Sequence, residues 1–237
     1  MTTCVYFEGG IGAGKSTLCK ILVERLNAAG ISAEYIPEPV EEWEKVGILQ
    51  EFYKDMYGKS YEFQTTTYIT RILSIVKAIE KYATNGLPLP KMFIIERSVM
   101  SDRYFFAEGL FDAGLMHPEK YKLYCDYWNY LTPSIPFKDF MFVYLKPSIK
   151  ECMRRVNIRN RNGEIVSEEY QTSLIAKHDK MFPDKEGYTL MPSCPDKKYI
   201  RIETDGDFVN NKHIQDEIFT RIHRIGADRD QGCTLDP

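Results

Sequence analysis

The stretch Gly9-Gly10-Ile11-Gly12-Ala13-Gly14-Lys15-Ser16 decides how the rest of the chain is read. It matches GxxxxGK[ST], a pattern that average composition produces in about one chain in a hundred of this length. Its setting narrows the reading further. Thr3 to Glu8 before it is a strand-like apolar run. Ser16 to Ala29 after it carries Leu18, Ile21, Leu22 and Leu26 at helical spacing, with Gly30 as the stop. Glycines between a strand and a helix let successive backbone N–H groups turn inward onto anionic oxygens, and the helix N-terminus adds its partial positive charge. The loop therefore predicts a nucleoside triphosphate site. Gly9, Gly10, Gly12, Ala13, Gly14 and Thr17 would lie along the phosphates, Lys15 would reach the β- and γ-phosphates, and Ser16 would hold Mg2+.

Outward from the loop, short apolar runs alternate with longer helix-period segments. Ser32–Ile36, Lys91–Ile95, Phe140–Leu145 and Lys198–Ile202 read as strands, and Glu62–Asn85 and Asn210–Ile225 as helices. Strand–helix alternation predicts an α/β fold with a parallel sheet wrapped by helices. With 237 residues, no internal repeat and no low-complexity linker, residues 1–226 are expected to form one domain, followed by a polar tail over 227–237. A composition of 43% hydrophobic and 27% charged residues excludes wholesale disorder and a coiled coil. A net charge of −3 gives no general attraction to nucleic acid or an acidic membrane, so any anion site must be local. The six cysteines and four histidines show no metal-ligand spacing. No apolar run is long enough to span a bilayer, and Met1 opens no secretory signal, so a cytoplasmic protein is expected.

Three further segments carry chemistry. Glu38-Pro39-Val40, with Trp43, follows the second strand, where strand ends face the crevice of a parallel sheet. A carboxylate placed there can take the proton of an attacking hydroxyl. Glu96-Arg97-Ser98 ends the third strand, and Asp102-Arg103-Tyr104 follows about a helical turn later. Arg154, Arg155, Arg159 and Arg161 lie close together ahead of Glu164, and Arg155 and Arg159 share one helix face, suited to pinning a transferring phosphoryl group. A guanine-reading NKxD motif is absent, since Asn211-Lys212-His213-Ile214 lacks the Asp. A small-molecule kinase with a second pocket for its acceptor is the reading that remains.

These segments, in this order, resemble the deoxynucleoside kinase family. The matching residues are Phe7 to Thr17, Glu38-Pro39-Val40 with Trp43, Phe63-Gln64-Thr65, Glu96-Arg97-Ser98 with Ser101 to Tyr104, and Arg155 to Arg161. The resemblance implies a P-loop kinase fold with a five-stranded parallel sheet and an arginine-rich lid. It implies ATP as donor, Mg2+, a small-molecule deoxynucleoside acceptor and a homodimer through the Glu62–Asn85 and Pro118–Leu131 regions. Carried over by position, Glu38 is implied as the base on the 5′-hydroxyl, with Arg97 beside it. Glu96 would bind Mg2+ through water alongside Ser16, and Arg155, Arg159 and Arg161 would close on the γ-phosphate. Tyr53 and Glu164 match the positions that hold the sugar 3′-hydroxyl. Trp43, Phe63 and Phe106 would sandwich the base, near Thr67, and the turn containing Asp207 and Phe208 would cover the ATP adenine.

Gln64, Arg71 and Asp102 carry the specificity reading. Arg71 lies two helical turns beyond Gln64 and is a rigid donor fork, while Asp102 is an acceptor. Cytosine, adenine and guanine offer edges that such a pair can read, whereas thymine presents O4 and a methyl group. A deoxyadenosine, deoxyguanosine or deoxycytidine kinase that handles thymidine poorly is expected. A thymidylate-type monophosphate kinase and a nucleotide-binding module without turnover remain open at this point, and the segment Pro183–Lys197 has no assigned role.

Overall fold

Alternating strands and helices form one twisted sheet because the strands Thr3–Glu8, Met92–Glu96 and Phe140–Lys146 are buried on both faces and need cover on both. The computed structural model describes residues 2–135, 140–206, 209–210 and 212–228. In chain order the elements are β1 (Thr3–Glu8), α1 (Lys15–Ala28), β2 (Ala33–Ile36), α2 (Val40–Lys45), α3 (Ile48–Lys54), α4 (Met56–Thr84) and β3 (Met92–Glu96). A π-helical stretch (Ser101–Ala107) then runs into α5 (Glu108–Asp112). There follow α6 (Pro118–Leu131), β4 (Phe140–Lys146), α7 (Ile149–Arg159), α8 (Glu168–Met181), β5 (Glu186–Tyr188), β6 (Lys198–Glu203) and α9 (Lys212–Asp228).

The sheet order is β2-β3-β1-β4-β6-β5. The first five of these strands are parallel, as expected, and β5 adds a sixth, antiparallel to β6. That sixth strand corrects the five-stranded expectation, and it comes from the segment that had no role. The segment folds back along β6 and covers what would otherwise be a bare edge of backbone donors and acceptors.

Side chains alternate across each strand, so each face of the sheet has its own core. Val5, Phe7, Ile94, Val143 and Ile202 face α1 and α9, whereas Tyr6, Ile36, Ile95, Phe142 and Tyr144 face the α4 side. The long helix starts at Met56, six residues before its expected start. Asp55 caps it by accepting from the Gly58 N–H at 2.9 Å, and Gly58 had masked the periodicity. Its end agrees with the Asn85-Gly86 reading, with Gly86 in the left-handed region at φ 61°.

Between β1 and β4 the strand order reverses, and the crevice beyond the carboxyl ends of the strands opens there. No helix among the described residues is long and apolar enough to cross a membrane.

Candidate active site

The loop between β1 and α1 is held by close approach of backbone to backbone. Gly9, Gly12 and Gly14 have φ of 146°, 80° and 92°, a region that residues with a Cβ rarely enter. A Cβ at Gly9 would lie 2.5 Å from the Leu145 carbonyl oxygen, and one at Gly12 would collide with the Cys152 carbonyl oxygen. Gln171 of α8, fully buried, clamps the loop from the far side. Its Oε1 accepts from the Ile11 N–H at 3.3 Å, and its Nε2 donates to the Ile11 carbonyl at 2.8 Å. Nothing in the sequence pointed to Gln171, which lies 160 residues away on an ordinary amphipathic helix.

Lys15 curls over the loop and donates to the carbonyls of Gly9 (3.2 Å) and Gly10 (2.9 Å). Burial, with Arg97 adding to it, lowers its ammonium to about 8 against the partial offset of Glu96, Glu38 and Glu8. Such a lysine is poised for an anion that would restore its charge. Next to it, Ser16 Oγ donates to Glu96 Oε1 at 2.7 Å, so the two expected metal-binding residues do meet. A hydroxyl and a carboxylate beside a triphosphate cradle form a hard oxygen donor set, which fits Mg2+.

The end of the site expected to take the acceptor is assembled from four places in the chain. Arg71 of α4 donates from Nε and Nη2 to Asp102 (2.8 and 3.1 Å), from Nη2 to Glu38 Oε1 (2.8 Å) and from Nη1 to the Glu96 carbonyl (3.1 Å). Arg97 follows β3 in the left-handed region at φ 62°, a conformation that costs about 1–3 kcal/mol in a residue with a side chain. Its Nε lies 3.5 Å from Glu38 Oε1 and its guanidinium stands 4.7 Å over the Phe106 ring. Burial pushes the Glu38 carboxyl up, but Arg71, Arg97 and Lys15 outweigh it and hold the group at about 2. For Asp102 burial prevails and raises the carboxyl in spite of Arg71.

A cavity of about 650 Å³ joins the two ends. Along it lie Lys15, Ser16, Glu38, Trp43, Tyr53, Phe63, Gln64, Arg71, Glu96, Arg97, Asp102, Phe106 and the lid arginines. Gln64 Oε1 and Arg97 Nη1 are buried there without a partner among the described residues, as groups awaiting a polar ligand would be. Trp43 and Phe63 meet edge to face at 5.9 Å, and Phe63 stacks on Phe52 at 4.4 Å. These rings form one continuous wall, with Phe106 carried separately under Arg97. Phe52 and Tyr170 also line the cavity and went unread in the sequence, because apolar and aromatic residues at helical spacing look like core.

The arginines expected in a lid are paired within the protein. Arg155 donates to Glu151, to the Ala13 carbonyl (3.0 Å) and to the carbonyls of Thr204 and Gly206 (both 2.7 Å). It ties α7 to the phosphate loop and to the loop after β6. Arg159 and Arg161 are turned onto Glu164, at 2.5 and 3.4 Å. The residues expected at the γ-phosphate and at the sugar 3′-hydroxyl are thus paired with one another. Tyr53 stands close enough to Glu164 for that carboxylate to help raise its phenol, after burial. Asp207 and Phe208, expected over the adenine, lie outside the described residues.

A mostly parallel α/β sheet with a phosphate loop at its switch point, and a part-buried carboxylate facing that loop across one cavity, defines a P-loop phosphotransferase. A family model described as deoxynucleoside kinase matches residues 5–225, and the chain belongs to that family. It is an ATP-dependent deoxynucleoside kinase. It is 30% identical to the fowlpox virus (strain NVSL) protein named "Probable deoxycytidine kinase FPV151", over 92% of this chain and 86% of that one. It is 28% identical to deoxycytidine kinase 2 of Gallus gallus, with 92% and 88% covered. With the deoxyadenosine kinase of Lactobacillus acidophilus the identity is 29%, over 94% and 95%.

Proposed function

We propose that the enzyme transfers the γ-phosphoryl group of ATP to the 5′-hydroxyl of deoxyadenosine, deoxyguanosine or deoxycytidine, and handles thymidine poorly. The observation that carries this reading is the buried Arg71–Asp102 pair in the wall of the cavity, joined by Arg71 to Glu38. A buried ion pair is a weak source of stability, so its presence at a cavity wall favours recognition as its purpose. Its donors and acceptor suit bases that carry an exocyclic amine or ring-nitrogen acceptors, and thymine offers neither amine nor room for its methyl group. Relatives named deoxycytidine and deoxyadenosine kinases support the same choice.

In this reading the 5′-hydroxyl donates to Glu38, while Arg97 steadies the carboxylate. A carboxylate held at about 2 is ionised throughout the working pH range. It is a weak base, which suits phosphoryl transfer: the transition state is loose, and the hydroxyl proton leaves late. Gln64 and the Arg71–Asp102 pair orient the base against the Trp43–Phe63 wall, and Tyr53 and Glu164 take the 3′-hydroxyl. For Glu164 to do so, Arg159 and Arg161 would turn toward the donor phosphates, so that lid closure and sugar binding are linked. Mg2+ held by Ser16 and Glu96 would neutralise charge growing between the β- and γ-phosphates. The protein works in the cytoplasm.

The enzyme is read as a homodimer through α4 and α6. Ile69, Leu73, Leu123, Tyr127 and Tyr130 are exposed on these two helices, Tyr130 at 82%. Beside them an apolar hollow of about 260 Å³ is lined by Ile69, Leu73, Val76 and Leu131. Sedimentation equilibrium measures this directly.

The functional reading is tested by phosphoryl transfer from Mg·ATP to deoxyadenosine, deoxyguanosine, deoxycytidine, thymidine and thymidine monophosphate, with Glu38→Gln as control. Turnover of one or more of the first three, lost in the control, is the expected result. Strong thymidine turnover would overturn the base assignment, and activity on the monophosphate alone would assign a different acceptor class.

A further inference from the structure

One polar group beside the metal-binding pair has no part in the mechanism above. β2 and β3 run parallel with Tyr35 opposite Ile94 and Ile36 opposite Ile95. Since side chains alternate, Tyr35, Ile94 and Glu96 share the face packed against α1, and Ile36 and Ile95 share the other. Ser16 sits at the start of α1, over that same face. The outcome is a three-membered cluster. The Tyr35 hydroxyl donates to Glu96 Oε2 at 2.6 Å, while Ser16 Oγ donates to Glu96 Oε1 at 2.7 Å.

The geometry points to Tyr35 as a positioning residue of the metal site: by holding one carboxylate oxygen of Glu96, it turns the other toward Ser16, where a hard divalent cation would bind. The inference rests on the Ser16–Glu96 reading given above. A glutamate side chain has three rotatable bonds, and the Ser16 hydrogen bond holds only one of its oxygens. A phenol on the neighbouring strand, whose backbone is fixed by the β2–β3 ladder, holds the other. Tyr35 also lines the cavity itself, next to Ser16 and Glu96 rather than behind them. Partners that orient metal ligands in this way typically contribute about 10–100-fold to metal affinity.

The test is the affinity of the full-length enzyme for ATP, measured by titration calorimetry without acceptor, once with Mg2+ and once with EDTA. The ratio of the two affinities is the metal's contribution. In Tyr35→Phe the ratio is expected to fall about tenfold. The affinity in EDTA and the deoxynucleoside KM at saturating Mg2+ should stay unchanged, and the Mg2+ concentration for half-maximal rate should rise in step. The phenyl ring keeps the packing against α1, and a thermal melt of the variant verifies it. An unchanged ratio in Tyr35→Phe, with a reduced one in Glu96→Gln, would overturn the role of Tyr35 and leave the metal reading standing. An unchanged ratio in both would overturn the Ser16–Glu96 assignment itself, and the Tyr35 role with it.

Discussion

The two ends of the cavity are built in opposite ways. At the donor end, eight consecutive residues supply nearly everything, and what matters is backbone: three glycines at positive φ, two of them pressed against the carbonyls of Leu145 and Cys152. At the acceptor end no two of Glu38, Arg71, Arg97 and Asp102 are sequence neighbours. What matters there is side-chain charge held out of water, in a network where Arg71 alone touches Asp102, Glu38 and the Glu96 carbonyl. A backbone device tolerates few substitutions, because a Cβ either fits or does not. A side-chain network can be retuned, because one changed partner alters which ligand satisfies the rest. The donor end should therefore fail when altered, and the acceptor end should switch.

The largest effect should come from Glu38, whose carboxylate is held by Arg71 and Arg97 and also feels Lys15 of the loop. Glu38→Gln removes the group proposed to receive the hydroxyl proton, and kcat should fall roughly a hundred- to ten-thousand-fold with ATP affinity nearly intact. Steady-state kinetics together with an ATP titration separates the two. Because Glu38 is held at about 2, the wild-type rate should show no acid limb from this group near neutrality.

Gly12→Ala challenges the donor end directly. The new Cβ would meet the Cys152 carbonyl at φ 80°, so stability should drop by about 1–3 kcal/mol and ATP binding should weaken, as read by thermal unfolding and titration. An alanine accepted without loss would show that the loop moves aside, and the contrast between the two ends would weaken.

The acceptor end should switch instead. Arg71→Met combined with Asp102→Ala removes both charges of the pair together, which avoids stranding one of them in the interior. The ratio of thymidine to deoxycytidine kcat/KM should rise about tenfold or more. Thymidine turnover as poor as before would refute the pocket reading.

The smallest effect is a proton. Lys15 is lowered to about 8 from its ordinary 10.5. Between those values the unfolded chain keeps a proton that the folded, nucleotide-free protein has lost, so this group makes stability rise with pH across the window. A triphosphate on the loop restores the charge, so ATP binding should take up a fraction of a proton at about pH 9 and close to none through Lys15 at neutral pH. Calorimetry in two buffers of different ionisation heat measures it, with Lys15→Met as the reference.

The α/β class, the parallel strands and the glycine loop between β1 and α1 were legible in the sequence because they depend on local patterns: period-2 and period-3.6 hydrophobicity, and the spacing of glycines. Glu38, Arg97 and Asp102 were legible as residues, since strand ends in a parallel sheet point into one crevice. Several things were not legible. Gln171 clamps the loop from a helix that gives no local signal. The contacts of Arg155 with the carbonyl oxygens of Ala13, Thr204 and Gly206 join three distant segments that no local spacing links. Strand β5 arises from a segment to which the sequence assigned no role, because a three-residue edge strand takes its stability from the strand it pairs with.

By itself, then, the sequence determined which chemistry the chain carries and on which kind of scaffold, since both are encoded in short contiguous runs. Only the tertiary structure decided which charges face one another. Arg71 lies on α4 and its partners follow β2 and β3, and Tyr35 reaches Glu96 only because two strands pair in one register. Such contacts depend on where folding brings distant segments, and the identity of a residue carries no record of its eventual neighbour.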